Sequence, residues 1–310
     1  MAVFRILAID GGGIRGIIPA ILLERLAQDP HLAGWLDRTD LLAGTSTGGL
    51  ISLALASGLA PAVIRELYQT KGREIFDDSW LDDVTDLGRL RGAEYDLTNL
   101  RRELQHIFGR KTLARLRKRV LIPAFDLDNE DPDPERRSWK PKLFHNFPGP
   151  DSDGHELAYK VALYTSAAPL YFPSADGYVD GGCYAVNPSM CALAQALDCR
   201  RRNPALLDDI VLFSLGTGTS LLHIRGNTLD WGYVQWVKPI LSIMLDGISG
   251  IADYQCAQLL GRRYRRLAPH FPPGQPVGMD EVKKVPAMTH FAREIDLSAT
   301  VRWLQKMWMT

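Results

Sequence analysis

The chain has little of what marks several functional classes. Its 310 residues hold only four cysteines, Cys183, Cys191, Cys199 and Cys256, and no two form a C-x-x-C pair. That spacing fits neither a zinc ribbon nor a disulfide-stapled scaffold; it fits reduced thiols, as expected of a cytoplasmic protein. Excess charge of either sign is missing as well, since 36 basic residues balance 36 acidic ones. No overall field draws a polyanion, and a nucleic-acid partner is not expected. Basic residues do cluster at 110–119 and 262–266. They read as solvated helix faces, with anionic lipid headgroups as the alternative contact. The apolar runs are short and interrupted by glycine, proline or charge, so a membrane-spanning helix is not expected. The first ten residues, MAVFRILAID, lack the basic start and long apolar core of a secretory leader, and none is expected. With 46% hydrophobic and 23% charged residues, what remains is the composition of an ordinary globular enzyme or binding protein.

What is present is an alternation of strand and helix patterns. The run at 3–9 reads as a buried strand ending in Asp10 and three glycines, and residues 14–28 follow with apolar positions at helical spacing. Residues 41–43 read as a second strand and 50–56 as part of a second helix, with Gly58 as its stop and Pro61 opening another. Later strands are expected at 120–125, 142–147 and 210–215, and a helix at 158–166. Residues 72–100 have weak periodicity and suggest an irregular cap or lid; residues 128–134 read as a polar turn, and 267–290, with five prolines, as a long surface connection. The β-α-β-α order predicts an α/β fold in three layers, with a mainly parallel central sheet between helices. No linker or repeat divides the chain, so residues 1–310 are expected to form one domain, residues 221–310 being its helical C-terminal part.

Two glycine-rich turns carry the candidate chemistry. Gly44-Thr45-Ser46-Thr47-Gly48 places a serine at a sharp strand-to-helix turn, its hydroxyl at the positive end of the helix. Asp10-Gly11-Gly12-Gly13-Ile14-Arg15-Gly16 strips side chains from the first strand-to-helix turn, so backbone N–H groups can converge on a phosphate or an oxyanion. The same letters match G-x-G-x-x-G, but the second strand ends in the Ser46 turn rather than in the acidic residue a dinucleotide site wants. A third segment, Tyr178-Val179-Asp180-Gly181-Gly182, follows Thr165-Ser166-Ala167-Ala168-Pro169. Alone it is an ordinary turn.

In this order, DGGGIRG, GTSTGG, and TSAAPLYFP leading into DGG resemble the patatin-like lipid acyl hydrolases, which are related in catalytic machinery to cytosolic phospholipase A2. The run LFSLGTG at 212–218 is also similar to that family, and the resemblance covers about residues 3–220. It implies a patatin-like fold and a Ser–Asp dyad of Ser46 as nucleophile and Asp180 as its partner. It also implies an oxyanion hole from Gly11, Gly12 and Gly13, with Arg15 close by to hold the loop or help an anionic substrate. The implied activity is hydrolysis of fatty-acyl esters of membrane phospholipids at a membrane surface. No cofactor and no metal are expected.

Other readings stay open. A Ser–His–Asp esterase would use Ser46, Asp180 and either His270 or His290, an order that α/β-hydrolases allow; His145 and His223 read as structural or surface residues. The aromatic stretch at 230–248 suits a bilayer interface, a core helix or a subunit contact, and Trp303, Met307 and Trp308 raise the same question. A scaffold that has lost its chemistry is a further alternative. So is a homo-oligomer or an effector silent until a small molecule such as a cyclic nucleotide, or a partner, binds.

Overall fold

The computed structural model describes residues 3–76, 97–169 and 171–310. Strands β1 (Phe4–Ile9), β2 (Leu41–Gly44), β3 (Arg119–Asp126), β4 (Lys140–His145), β5 (Tyr178–Asp180), β6 (Ile210–Leu215) and β7 (Tyr264–Leu267) form a single sheet. Its order is β4-β3-β2-β1-β6-β7, with β5 also on β3. The β3-β2-β1-β6-β7 neighbours are parallel, whereas β4 and β5 run antiparallel to β3.

The period of two along the central strands feeds two cores. Leu7, Ile9, Leu42, Ile122 and Phe213 face one side. Ile6, Ala8, Leu41, Ala43 and Leu212 face the other. On the first side pack α1 (Ile17–Gln28), α2 (Thr47–Ser57), α3 (Pro61–Phe76), α4 (Leu97–Phe108), α5 (Ala158–Ser166), α9 (Val285–Glu294) and α10 (Ser298–Met307). On the second lie α7 (Ser189–Ala196) and α8 (Tyr233–Leu260), reached through the short α6 (Gly182–Ala185). The three-layer α/β/α arrangement expected from the sequence is present. Local stops are legible: Gly58 caps α2 at φ 94°, a left-handed conformation that costs glycine little, and Asp29, held extended before Pro30, ends α1.

Several expectations change. Of the weakly periodic stretch 72–100, residues 72–76 belong to α3 and 97–100 open α4; the proposed lid at 77–96 lies outside the described residues. The C-terminal part is not wholly helical, because β7 joins the sheet beside β6. The proline-rich connection is shorter than read: α9 begins at Val285 with Pro286 in its first turn, where its missing N–H costs nothing. The basic run 262–266 is not a solvated helix face but a turn and a strand. Arg263 reaches the Leu207 carbonyl, Arg265 donates to Thr300 Oγ1 at 3.0 Å, and Arg266 pairs with Asp10 at 2.6 Å. Trp308 is buried against Trp35, and the Trp303 indole donates to the Arg262 carbonyl, so the C-terminal tryptophans are packing residues.

Candidate active site

Sheet topology brings the site together. β3 has two edges, and β4 occupies one along Leu121–Asp126. On the other, β2 pairs with Arg119–Leu121 and β5 with Ala124–Asp126. β5 therefore continues where β2 stops, and Asp180, opposite Ala124, lies just past the carboxyl end of β2, where Ser46 turns the chain. Two segments 134 positions apart in sequence meet by sharing one strand edge.

Ser46 is the N-cap of α2 at φ 54°, ψ −126°, a backbone conformation that L-residues rarely adopt. Its neighbours enforce the turn. A Cβ on Gly44 would fall 2.0 Å from the Gly48 carbonyl oxygen, and one on Gly48 would fall 2.2 Å from the Ile9 carbonyl oxygen. The Ser46 amide donates to Thr165 Oγ1 at 2.9 Å, and that hydroxyl donates in turn to the Pro123 carbonyl at 2.6 Å. Thr45 Oγ1 donates to the Ala185 carbonyl at 2.5 Å, tying the turn to α6. Thr165 stood within the motif quoted from the sequence, but its role in holding Ser46 carries no local signal: the contact spans 119 positions.

Asp180 is buried, and its amide donates to the Ala167 carbonyl at 2.9 Å. Its carboxylate accepts from the Gly182 amide at 2.7 Å, and the Ser46 side chain stands close enough to favour its charged form. Burial pushes this carboxyl up to about 6, because the charged form loses its hydration; the Ser46 side chain and the Gly182 amide pull the other way without cancelling that cost. The aspartate is thereby a better base than in water.

The glycine loop after β1 abuts the serine: a Cβ on Gly11 would lie 3.4 Å from Ser46 Cβ. Gly12 lies against Thr217, which donates to the Gly11 carbonyl at 2.8 Å, and Gly13 sits at φ 57° against the Met279 carbonyl. The Gly11 amide is already engaged by the Val186 carbonyl at 2.9 Å. Gly12 and Gly13 keep amides with no acceptor among the described residues. Behind the loop, Asp10 is held by both guanidinium nitrogens of Arg266, at 2.6 and 3.2 Å, and Arg266 also donates to Ser214 and Ser249. Arg15 is half-buried and donates to the Val277 carbonyl at 3.4 Å. Burial draws its guanidinium below the ordinary value, against the opposing charges of Asp246 and Asp10.

The histidines of the alternative triad stand apart. His270 and His290 are exposed, and among the described residues only Ser46 and the Gly182 amide serve the Asp180 carboxylate. His145 is buried at the end of β4, edge-on to Phe147, and His223 is exposed. No group of three or more acidic, histidine or cysteine side chains suited to a metal ion occurs among the described residues.

A mostly parallel sheet with its polar turns gathered at the strands' carboxyl ends defines an α/β protein with its candidate site where such folds bind ligands. The chain belongs to the patatin-like phospholipase family, whose model matches residues 7–193; members of this family are lipid acyl hydrolases. It is 30% identical to protein teg of Priestia megaterium over 99% of this chain and 100% of that protein. It is 28% identical to a cGAMP-activated phospholipase of Pseudomonas aeruginosa over 88% of this chain and 80% of that one. It is also 30% identical to patatin-B1 of Solanum tuberosum over 84% of this chain and 73% of that one.

Proposed function

We propose that the chain hydrolyses fatty-acyl esters of membrane phospholipids through a Ser46–Asp180 dyad and an acyl-enzyme. The observation that carries this reading is the placement of the Ser46 side chain beside a buried carboxylate whose basicity burial has raised. In the first half-reaction Ser46 Oγ attacks the ester carbonyl carbon while Asp180 takes its proton. The oxyanion forms against the free Gly12 and Gly13 amides and the positive end of α2, where such donors contribute about 3–4 kcal/mol each. Asp180 returns the proton to the departing lysolipid oxygen, leaving the acyl group on Ser46. Water, deprotonated by Asp180, then releases the fatty acid and restores the serine. Gly11, its amide given to the Val186 carbonyl, holds the loop in place rather than donating to the oxyanion. Arg15 acts as a support of the loop through the Val277 carbonyl.

Peripheral membrane contact fits the exposed residues of α8. Its first half presents Tyr233, Val234, Ile240, Ile243 and Met244 to solvent. Its middle reaches the clasp behind the glycine loop, where Arg266 donates to Ser249 Oγ at 3.1 Å. Among the described residues no helix is long and apolar enough to cross a membrane, so insertion would be shallow. A second reading, a hydrolase silent until a small molecule or partner binds, is favoured by the activation named for the Pseudomonas relative.

A fluorophosphonate probe tests the nucleophile without assuming a substrate. Labelling of the purified chain at Ser46, lost in Ser46→Ala, is the expected result; labelling elsewhere, or unchanged labelling of a folded Ser46→Ala variant, overturns the assignment. Labelling at Ser46 without fatty-acid release would favour the silent form.

A further inference from the structure

A second basic feature lies at the opposite end of the sheet from Ser46. Phe4 opens β1, Arg119 opens β3 and Asp209 immediately precedes β6, so all three stand at the amino ends of parallel strands. Six-residue strands separate this edge from the Gly11–Gly13 turn by about 20 Å. Here a cavity of about 420 Å³ is lined by Phe4, Arg119, Phe147, Arg201, Arg202 and Asp209, among others. That volume falls within the roughly 300–1,000 Å³ usual for small-molecule sites.

The charges in this cavity are unbalanced. Three arginines face one aspartate in the lining, and among the described residues none of the three makes an ion pair, Asp151 and Asp198 acting on Arg201 only at longer range. Arg201 donates to the Pro148 carbonyl at 2.8 Å. Arg119 and Arg201 both lie on the Phe147 ring, their guanidinium carbons 5.2 and 4.1 Å from its centroid. One guanidinium on an aromatic face is favourable packing. A second adds little that an uncharged side chain would not supply, and it brings a like charge close. Burial first, and then the Arg119 charge, draw the Arg201 guanidinium below its ordinary value against the opposing charges of Asp151 and Asp198. Phe147 itself is buried and fixes where both cations point. Two planar forks preset around an open cavity, neither in an ion pair, match the oxygen geometry of a phosphate.

We propose that this cavity is a binding site for a phosphate-bearing anion, separate from the Ser46 site. Its chemistry is shared by soluble phosphate compounds and by anionic lipid headgroups. Binding here stands whether or not Ser46 is a nucleophile. Apart from Arg119, which opens β3, the cluster at 110–119 that the sequence offered to lipid headgroups takes no part in it; Arg201 and Arg202 come from the loop after α7.

The test is calorimetric titration of inorganic pyrophosphate into the purified chain, alongside co-sedimentation with phosphatidylglycerol and phosphatidylcholine vesicles. Arg119→Gln/Arg201→Gln and Arg119→Lys/Arg201→Lys are the variants, and thermal melts verify that both fold. Either pyrophosphate binds wild type with a sub-millimolar Kd, or binding to phosphatidylglycerol exceeds that to phosphatidylcholine. The first result assigns a soluble ligand and the second a headgroup. In each case the Gln pair weakens the interaction at least tenfold, and the Lys pair, which keeps charge but loses the fork, falls between. No binding by wild type in either assay, or a folded Gln variant that binds as wild type does, overturns the proposal.

Discussion

At the scale of single residues, the proposed chemistry depends on one carboxyl being buried. Burial pushes the Asp180 carboxyl up to about 6, because desolvation outweighs the Ser46 side chain and the Gly182 amide that favour its charged form. As a general base it must be ionised, so kcat/KM on a soluble ester is expected to rise with pH along a limb centred near 6 and to level above it. A pH–rate profile flat from 5 to 7, with the protein folded throughout, would contradict the role. The same burial has a stability consequence of opposite sense. The folded chain binds the Asp180 proton more tightly than the unfolded chain, so this group's contribution falls as pH rises from about 4 to about 6. Asp180→Asn keeps an acceptor for the Gly182 amide without the charge. At pH 7 the variant is expected to be inactive and more stable by on the order of 1–3 kcal/mol, read from urea melts.

At the scale of elements, the turns are dictated by what a side chain would strike. Gly48→Ala puts a methyl 2.2 Å from the Ile9 carbonyl oxygen and 2.6 Å from that of Asp10, both backbone atoms beside the central strand. It is expected to cost more than about 3 kcal/mol or to abolish soluble expression. Gly247→Ala, on α8 with nothing within 4 Å, is the contrast: it should leave stability unchanged or raise it by up to about 1 kcal/mol. Comparable losses in both variants would contradict this view of the elbow. Such turns were legible in the sequence because glycine, serine and aspartate patterns are local. Ser46, the glycine loop and the central strands could each be read from fewer than ten residues. The Thr165 hydroxyl on the Ser46 amide, the Val186 carbonyl on Gly11 and the clasp of Arg266 on Asp10 were not, because each joins segments more than a hundred positions apart. Arg266 was read as a surface charge for the same reason: composition cannot say that a basic strand edge meets a buried aspartate.

At the scale of the whole molecule, the arrangement separates the polar edge that carries the candidate site from the exposed apolar half of α8. α8 was ambiguous in sequence because its apolar residues suit a core, a partner or a bilayer equally. Its exposure is decided by how few of its residues the sheet can cover, Cys256 and Leu260 at its far end being buried in the second core. If the exposed half meets lipid, Ile243→Asp/Met244→Asp is expected to lower fatty-acid release from vesicles about tenfold or more. Hydrolysis of a short soluble ester should stay within about twofold. Equal loss on both substrates would mean that the face serves folding or the site itself rather than membrane contact.

The most direct measurement of the central claim is fatty-acid release from mixed phospholipid vesicles by the purified chain, with Ser46→Ala and Asp180→Asn measured in parallel and their folding verified. Release by wild type that falls at least a thousandfold in both variants is the predicted result. Release that survives in a folded Ser46→Ala variant, or that persists in Asp180→Asn but is lost in His270→Ala or His290→Ala, would contradict the dyad.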